Sequence, residues 1–471
     1  MTLQMIRAGR MFALIAFGFA PGLAAAAPGT ALTSYVLLGP DGVRIARVIT
    51  AAAQCPDLIL DGAKAPMSLR APAETVPQRP TASAPEASKS SVFDGAVCEA
   101  VIPAKVHSAL VAGRVLPLPP AVIRRMVVIG DTGCRVKGSD KAYQACNDPK
   151  AYPFAQVAAT AAAWKPDLVL HVGDYLYRET ACPEGQAGCA GSAWGYGADA
   201  WRQDFFDPAA PLLAAAPLAL ARGNHETCVR AGQGWRRYLD ASAYIPERSC
   251  NAAADDGVGD FTDPYAIPLG DHAQLIMFDS ADTPTKPLDA DDPRAVHYRD
   301  AYRRIEALAS ASPHSILVDH HPILGFGAKK DKEGAVNLFG GNGGLQSVFG
   351  AFGPRMAPAG VDLLIAGHVH LWEAVSFSGD FPGQIVNGFS GTQEDVVPLP
   401  AAAPPGATPA PGAMVEAMSS WVDGFGFMTL ERRGDDAWDA QIRDVTGAVV
   451  NTCEIRGRRV HCAVAQVASG R

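Results

Sequence analysis

Residues 167–177 read DLVLHVGDYLY. An apolar run, Leu168 to Val172, stops at Gly173-Asp174, and Tyr177 follows three residues after the aspartate. Buried parallel strands read as near-continuous Val/Ile/Leu runs, and open α/β sheets gather their ligands beyond the carboxyl ends of the strands. The stretch therefore predicts a buried strand whose tip carries metal-competent oxygens. The pattern recurs four times, in RRMVVIGDTG ending at Gly133, PLALARGNHE ending at Glu226, SILVDHHP ending at Pro322 and VDLLIAGHVH ending at His370. Taken singly each motif is weak, since Gly130-Asp131 is a common turn and His320-His321 could be an ordinary surface pair. Five ordered tips ending in Asp, Asn, His and Tyr are hard to obtain by packing alone, and they imply one shared metal site.

From Ala121 onward, apolar runs alternate with longer Ala-rich segments such as Phe154 to Trp164, which predicts helices crossing a sheet. Residues 28–122 instead carry short runs (Ser34–Leu38, Val43–Val48, Ala100–Ile102) broken by Gly, Pro and Asp. They read as a small β-rich domain ahead of a catalytic domain over 123–471. Ala71 to Ser91 and Val396 to Met414 are rich in Pro and Ala and read as a long flexible loop and a surface loop. Gly426–Glu431, Trp438–Arg443 and the Cys453–Cys462 segment read as closing strands and a hairpin.

With 471 residues, 48% hydrophobic and 19% charged, 47 Gly and 37 Pro, the chain is globular and loop-rich, which excludes disordered, fibrous and coiled-coil classes. Arg7 and Arg10, an apolar stretch from Met11 to about Ala20, Pro21 and the Ala24–Ala27 run form a secretory signal over residues 1–27. The apolar stretch is too short to span a bilayer, and no later segment looks transmembrane. Losing Arg7 and Arg10 takes the formal charge from -8 to -10, which argues against nucleic acid or anionic lipid as a partner. Export to the periplasm or the exterior also suits the ten cysteines, Cys55, Cys98, Cys134, Cys146, Cys182, Cys189, Cys228, Cys250, Cys453 and Cys462. Sequence leaves their connectivity open; pairing neighbours in that order would make five local loops.

The five motifs together resemble the calcineurin-like metallophosphoesterase superfamily, and most of all its purple acid phosphatases. That family's pattern is DxG, GDxxY, GNH with a following acid, a His before x-Pro, and GHxH. Here it is met by Asp131-Thr132-Gly133, Gly173-Asp174-Tyr175-Leu176-Tyr177, Gly223-Asn224-His225-Glu226, His320-His321-Pro322 and Gly367-His368-Val369-His370. The resemblance covers about residues 126–370 and implies a four-layer αββα sandwich. The β-rich start is similar to the fibronectin-like domain of some family members, although no particular residue supports that.

By resemblance, Asp131, Asp174, Tyr177 and His370 hold one metal, and Asp174, Asn224, His320 and His368 hold the other. Most metallophosphoesterases have a His where this chain has Gly133, so a ligand is missing there and Tyr177 is added. Gly133 would leave space for the phenolate, and a helix starting at Asp174 would put both side chains on one face. A phenolate favours a trivalent ion. Fe(III) with a divalent ion brings five positive charges against four from two carboxylates, a phenolate and a hydroxide, leaving a cationic centre for phosphate. The count favours Fe(III) with Zn, Mn or Fe(II), two divalent ions being the alternative. The fourth motif favours His320, which precedes the x-Pro step, although counting from Val318 would select His321.

The reaction implied is hydrolysis of a small phosphate monoester by metal-bound hydroxide. A phosphodiesterase using the same metals and a non-catalytic phosphate- or metal-binding protein are the rival readings. His225 would orient phosphate or protonate the leaving group, Glu226 could fix its tautomer, and His321 would face away or towards substrate. Arg135, Arg178 and Arg222 touch motif ends and could bind phosphate, but loop arginines more often pair with carboxylates. Trp194, Tyr196, Trp201, Phe205 and Phe206 could roof a pocket but more simply pack a helix on the sheet. His171 and the other isolated histidines read as structural, and Asp279 ends a further apolar run without a ligand role. Oligomeric state and physiological substrate are not encoded in these patterns.

Overall fold

The protein is described from a computed structural model, which covers Met1 and residues 32–394, 397, 399 and 406–463. The signal segment and part of the Val396–Met414 loop lie outside the described residues. Two large sheets organise the chain. Numbering only their strands, these are β1 (Leu32–Leu38), β2 (Arg44–Thr50), β3 (Ser68–Ala71), β4 (Ala96–Ile102), β5 (Arg125–Ile129), β6 (Leu168–His171) and β7 (Leu218–Leu220). There follow β8 (Tyr265–Pro268), β9 (Ala273–Met277), β10 (His314–Val318), β11 (Val361–Ala366), β12 (Trp372–Phe377), β13 (Gly383–Asn387) and β14 (Val415–Trp421). The chain closes with β15 (Gly426–Arg432), β16 (Ala437–Asp444), β17 (Val449–Arg456) and β18 (Arg459–Cys462). The first sheet runs β18-β17-β16-β15-β5-β6-β7-β1-β2-β4-β3, and the second runs β8-β9-β10-β11-β13-β12-β14.

Alternation along the central strands builds the layers, because successive side chains point to opposite faces. Met126 and Val128 of β5 meet Leu275, Met277, Ile316, Val318, Leu363 and Ile365 in the core between the sheets. Val127 and Ile129 turn outward onto helix α1 (Phe154–Ala163) and the aromatic cluster of Trp201, Phe205 and Phe206. Leu317 and Leu364 of the second sheet turn outward onto α2 (Pro293–Ser310) and α3 (Gly343–Phe349). Helix, sheet, sheet, helix is the αββα sandwich expected.

The N-terminal region is β-rich, and its strands share the first sheet: β1 pairs with β7 in parallel at Leu37 and Leu218, and β2, β4 and β3 follow outward. A small core of its own, including Val36, Val48, Leu58 and Ile102, covers one face of this extension. Residues 71–91 are more ordered than their composition suggests. Glu74–Val76 pairs with Ser91–Phe93, Ala82 N donates to Val229 O at 2.8 Å, and the Arg79 guanidinium grips Asp256. Main-chain pairing and one ion pair fix a segment with few apolar side chains of its own. The cysteines pair as neighbours: Cys55–Cys98, Cys134–Cys146, Cys182–Cys189, Cys228–Cys250 and Cys453–Cys462. Among the described residues, no helix is long and apolar enough to cross a membrane.

Candidate metal centre

Strands β5, β6 and β7 of the first sheet and β10 and β11 of the second end at one edge of the sandwich, where their following loops meet. Three tip residues sit in the left-handed region, Asp131 at φ 54°, Asp174 at φ 60° and His368 at φ 71°. Non-glycine residues there are strained, and such strain collects at functional sites. The sharp turns let Asp131 and Asp174 face each other's loops; Asp131 N donates to Gly173 O and Thr132 N to Asp174 O, both at 3.0 Å. A Cβ on Gly223 would overlap the Asp174 carboxylate, so only glycine lets the third motif approach the second this closely.

All seven expected ligands converge. The Tyr177 hydroxyl lies 3.0 Å from Asp131 Oδ1, 2.7 Å from Asp174 Oδ2 and 2.9 Å from His370 Nε2. On the other side of Asp174, Asn224 Oδ1 lies 3.1 Å from His320 Nε2 and 3.0 Å from His368 Nδ1. His320 Nε2 is also 3.2 Å from Asp174 Oδ2, which places this carboxylate between the two halves. Asp131, Asp174 and Tyr177 are buried, whereas Asn224 and His368 are half-buried and mark the open side. Asp131, Asp174 and His320 form one group able to hold a cation, and His320, His321 and His368 form another.

Hydrogen bonding tests whether cations fit. His320 Nδ1 lies 2.9 Å from Val172 O and His370 Nδ1 lies 2.9 Å from Gln393 O, so both Nδ1 atoms must carry the proton. In a neutral ring each Nε2 then presents a lone pair to further acceptors, Asn224 Oδ1 and Asp174 for His320 and Asp131 for His370, whose Nε2 also meets the Tyr177 hydroxyl. Acceptors facing acceptors need a cation between them, and a second Nδ1–H bond of this kind is the usual orienting device for metal-binding histidines. Without one, burial opposes charge on His320 but attraction to Asp174 and Asp131 holds its pKa up to about 10. Burial pushes the Tyr177 phenol well above its ordinary range, with Asp174 and Asp131 adding to the effect. Burial pushes His368 down to about 3, with His320 next in effect. The donor set fits two cations.

Several expectations change. Residues 174–177 form an irregular loop rather than a helix, and Tyr177 reaches Asp174 by loop curvature. Gly133 makes room for backbone, not for the phenol: a Cβ there would lie 2.8 Å from Tyr175 O, 2.8 Å from Tyr177 N and 2.9 Å from Asp204 Oδ2. Glu226 does not orient His225. Its carboxylate accepts N–H groups of Asp174, Tyr175, Leu176 and Gly223, bracing the second motif against the third, and burial followed by Asp174 pushes its pKa up to about 8. The partner of His225 is Glu179, whose Oε1 lies 2.7 Å from Nδ1, off the axis of a straight hydrogen bond. Arg230 and the Tyr196 hydroxyl flank Glu179 at 3.8 and 3.3 Å, and Ser83 of the N-terminal region reaches Tyr196 at 3.5 Å.

The three motif-end arginines are held by carboxylates. Arg135 pairs with Asp140, Arg178 with buried Asp204 at 2.5 Å, and Arg222 with Asp260 and Asp279. Trp201, Phe205 and Phe206 are core, while Tyr196 alone of the aromatic group touches the His225 network. His171 is buried against Thr132 and stacks on Tyr175. His321 lies beside His368, ring centroids 4.3 Å apart, with Ser280 Oγ 3.4 Å from its Nδ1. Sequence reasoning missed Glu179, Asp204 and Ser280. Only Glu179 left a signal, an acid two residues beyond Tyr177.

A family model for calcineurin-like phosphoesterases matches residues 124–371. The chain belongs to this family, whose members are phosphoesterases. No curated protein matches the sequence significantly. Among solved structures, a purple acid phosphatase from yellow lupin (Lupinus luteus) seeds is similar at 14% identity and a TM-score of 0.55, covering 91% of this chain and 74% of that one. PhoD is similar at 11% identity and a TM-score of 0.51, covering 96% of this chain and 95% of its own. At these identities the likeness is one of fold.

Proposed function

We propose that the chain is an exported two-metal phosphoesterase that hydrolyses small phosphate monoesters, in the manner of the purple acid phosphatases its motifs resemble. The observation that carries this reading is the pair of Nδ1-tethered histidines, His320 and His370, whose Nε2 atoms point at the carboxylates of Asp174 and Asp131. Asp131, Asp174, Tyr177 and His370 would hold one cation, and Asp174, Asn224, His320 and His368 the other. Two bound cations supply Lewis acidity at phosphoryl oxygen and lower the pKa of a water. The buried phenol and two carboxylates of the first half suit Fe(III), and the largely neutral second half suits Zn, Mn or Fe(II). Five disulfides are in keeping with export of a 123–471 catalytic unit carrying the β-rich 28–122 region.

His225 is the residue to hold or give a proton. Its ring packs on Tyr177 with centroids 3.8 Å apart, and Glu179 occupies Nδ1, so Nε2 is left for the leaving oxygen. Burial and then Arg230 lower the pKa of His225, while Asp174 and Glu179 oppose that. His321, beside His368, is assigned to substrate rather than metal. Glu226 holds the loops in register without touching substrate.

The test is the metal content and visible spectrum of the purified protein, with rates on aryl phosphate monoester and diester substrates. The reading expects iron, a tyrosinate charge-transfer band lost in Tyr177→Phe, and faster monoester hydrolysis. A colourless, fully active enzyme with divalent ions alone would remove the iron assignment, and faster diester hydrolysis would remove the monoester one.

A further inference from the structure

Helix α2 packs on β8 and β9, and between its first half and residues 261–264 lies a cavity of about 290 Å³. Its walls are aromatic and acidic. The Phe261 and His297 rings stack with centroids 4.0 Å apart, and Phe261 meets Tyr298 edge-on at 5.8 Å. Asp263 and Asp300 stand at the exposed mouth, paired with Arg304 at 3.4 Å and Arg303 at 3.0 Å respectively. Asp279 and Tyr298 form the floor, 8% and 1% exposed. Neither the Tyr298 hydroxyl nor Asp279 Oδ2 has a hydrogen-bond partner among the described residues. The nearest cationic atom to Asp279 Oδ2 is Arg222 Nη1 at 3.5 Å. Buried polar atoms are almost always hydrogen-bonded; a carboxylate oxygen can only accept and a phenol oxygen can accept, so these two unpaired atoms, on residues that line one cavity, point to a missing donor.

The surroundings decide the charge of that donor. Asp260 and Asp279 share Arg222, and Arg294 is held by Asp292 at 2.8 Å. Four carboxyl groups, Asp260, Asp279, Asp282 and Asp292, thus stand against two guanidiniums, Arg222 and Arg294, and burial first, then Asp260, push the Asp282 carboxyl up to about 7. A bare divalent ion would seek six or more oxygen ligands, and the floor offers two orphan atoms. The volume far exceeds the roughly 30 Å³ share of one water molecule, and aromatic faces attract cations and pack hydrocarbon. The geometry points to a binding site for a small aliphatic ammonium compound. Its ammonium donates to Asp279 Oδ2 and Tyr298 Oη, its carbon chain lies along Phe261 and His297, and a second ammonium can reach Asp263 at the mouth. The site is separate from the metal centre but adjoins it. Ser280, next to Asp279, accepts the N–H groups of His320 and His321 through its Oγ, and Arg222 precedes Asn224 by two residues.

The test is calorimetric titration of the full-length metal-loaded protein with 1,4-diaminobutane, with its uncharged analogue 1,4-butanediol, and with Ca²⁺. Two variants accompany it. Tyr298→Phe removes a hydroxyl that bonds nothing among the described residues, so the fold is undisturbed, and Ala301→Trp fills the half-buried lining position. The diamine should bind saturably and the diol not at all. Tyr298→Phe should weaken binding about tenfold, the value of one charge-assisted hydrogen bond, and Ala301→Trp should abolish it. Equal binding of diol and diamine, no binding of the diamine, Ca²⁺ binding in its place, or unaltered affinity in both variants would overturn the assignment.

Discussion

Replacing Asp204 by asparagine removes the charge from a carboxylate that four donors share. Asp204 sits in the wide helical turn Arg202–Phe206, fully buried. Its Oδ1 accepts Cys134 N at 3.1 Å and Arg178 Nε at 2.5 Å, and its Oδ2 accepts Tyr177 N at 2.8 Å and Arg178 N at 3.2 Å. It therefore ties the loop after Asp131 to the loop carrying Tyr177. Burial raises its pKa despite these donors, so the pair is no large gain over two solvated ions. Removing one partner is another matter, because Arg178, 4% exposed, would keep a buried charge with nothing opposite it. Breaking a buried pair in this way costs about 3–5 kcal/mol. An amide also offers one acceptor oxygen where two are used, so either Cys134 N or Tyr177 N faces an NH₂ group. Asp204→Asn should lower the urea midpoint by an amount equivalent to about 3–5 kcal/mol, and Arg178→Met in the same chain should recover part of it. It should also weaken any Tyr177-dependent absorption while the protein is still folded. A variant within about 0.5 kcal/mol of the parent, with its metal centre unchanged, would refute this account of how Tyr177 is placed.

Three further predictions concern other parts of the molecule. Glu179→Gln should lower kcat by about ten- to a hundredfold with little change in metal content, since it removes the negative charge beside His225 without touching a ligand; an unchanged kcat would remove that charge from the chemistry. Among the described residues the buried Glu373 carboxyl takes one hydrogen bond, from Phe326 N at 3.0 Å, and burial raises its pKa from 4.5 to about 8. Its folded-state pKa exceeds the unfolded one, so its contribution to stability is full below pH 4.5 and falls as pH rises towards 8. Glu373→Gln keeps the acceptor oxygen and should match the parent's melting temperature near pH 4.5 but exceed it at pH 8 or above; equal shifts at both pH values would contradict this. Stripping metals with a chelator should abolish hydrolysis and lower the melting temperature, with recovery that depends on metal concentration, because a ligand bound only to the folded state stabilises it by mass action. A melting temperature insensitive to metal would argue against cations at the convergent donors.

The central strands were legible in the five apolar runs because a buried strand needs both faces apolar, and that requirement is written in consecutive residues; the four-layer αββα arrangement was implied only by the resemblance of the motifs. The seven candidate ligands were legible for a related reason: each lies within a few positions of the strand end that carries it. Cysteine connectivity stayed open in the sequence, and the fold joins neighbours across separations of 7 to 43 residues. Chain order did not disclose that Glu179, rather than adjacent Glu226, meets His225. The turn of the second motif sends one carboxylate to the imidazole, while Glu226 folds back onto four backbone N–H groups. Likewise the role of Gly133 is set by Asp204, 71 residues further on, whose carboxylate fills the space a side chain would take. The extension of the first sheet by β1 to β4 rests on one parallel pairing with β7, about 180 residues away in sequence. Sequence by itself determined which groups stand at the strand tips, since strand periodicity and turn residues are local properties. Tertiary structure decided which of those groups meet, because contact between distant loops depends on how two sheets stack and where their ends coincide.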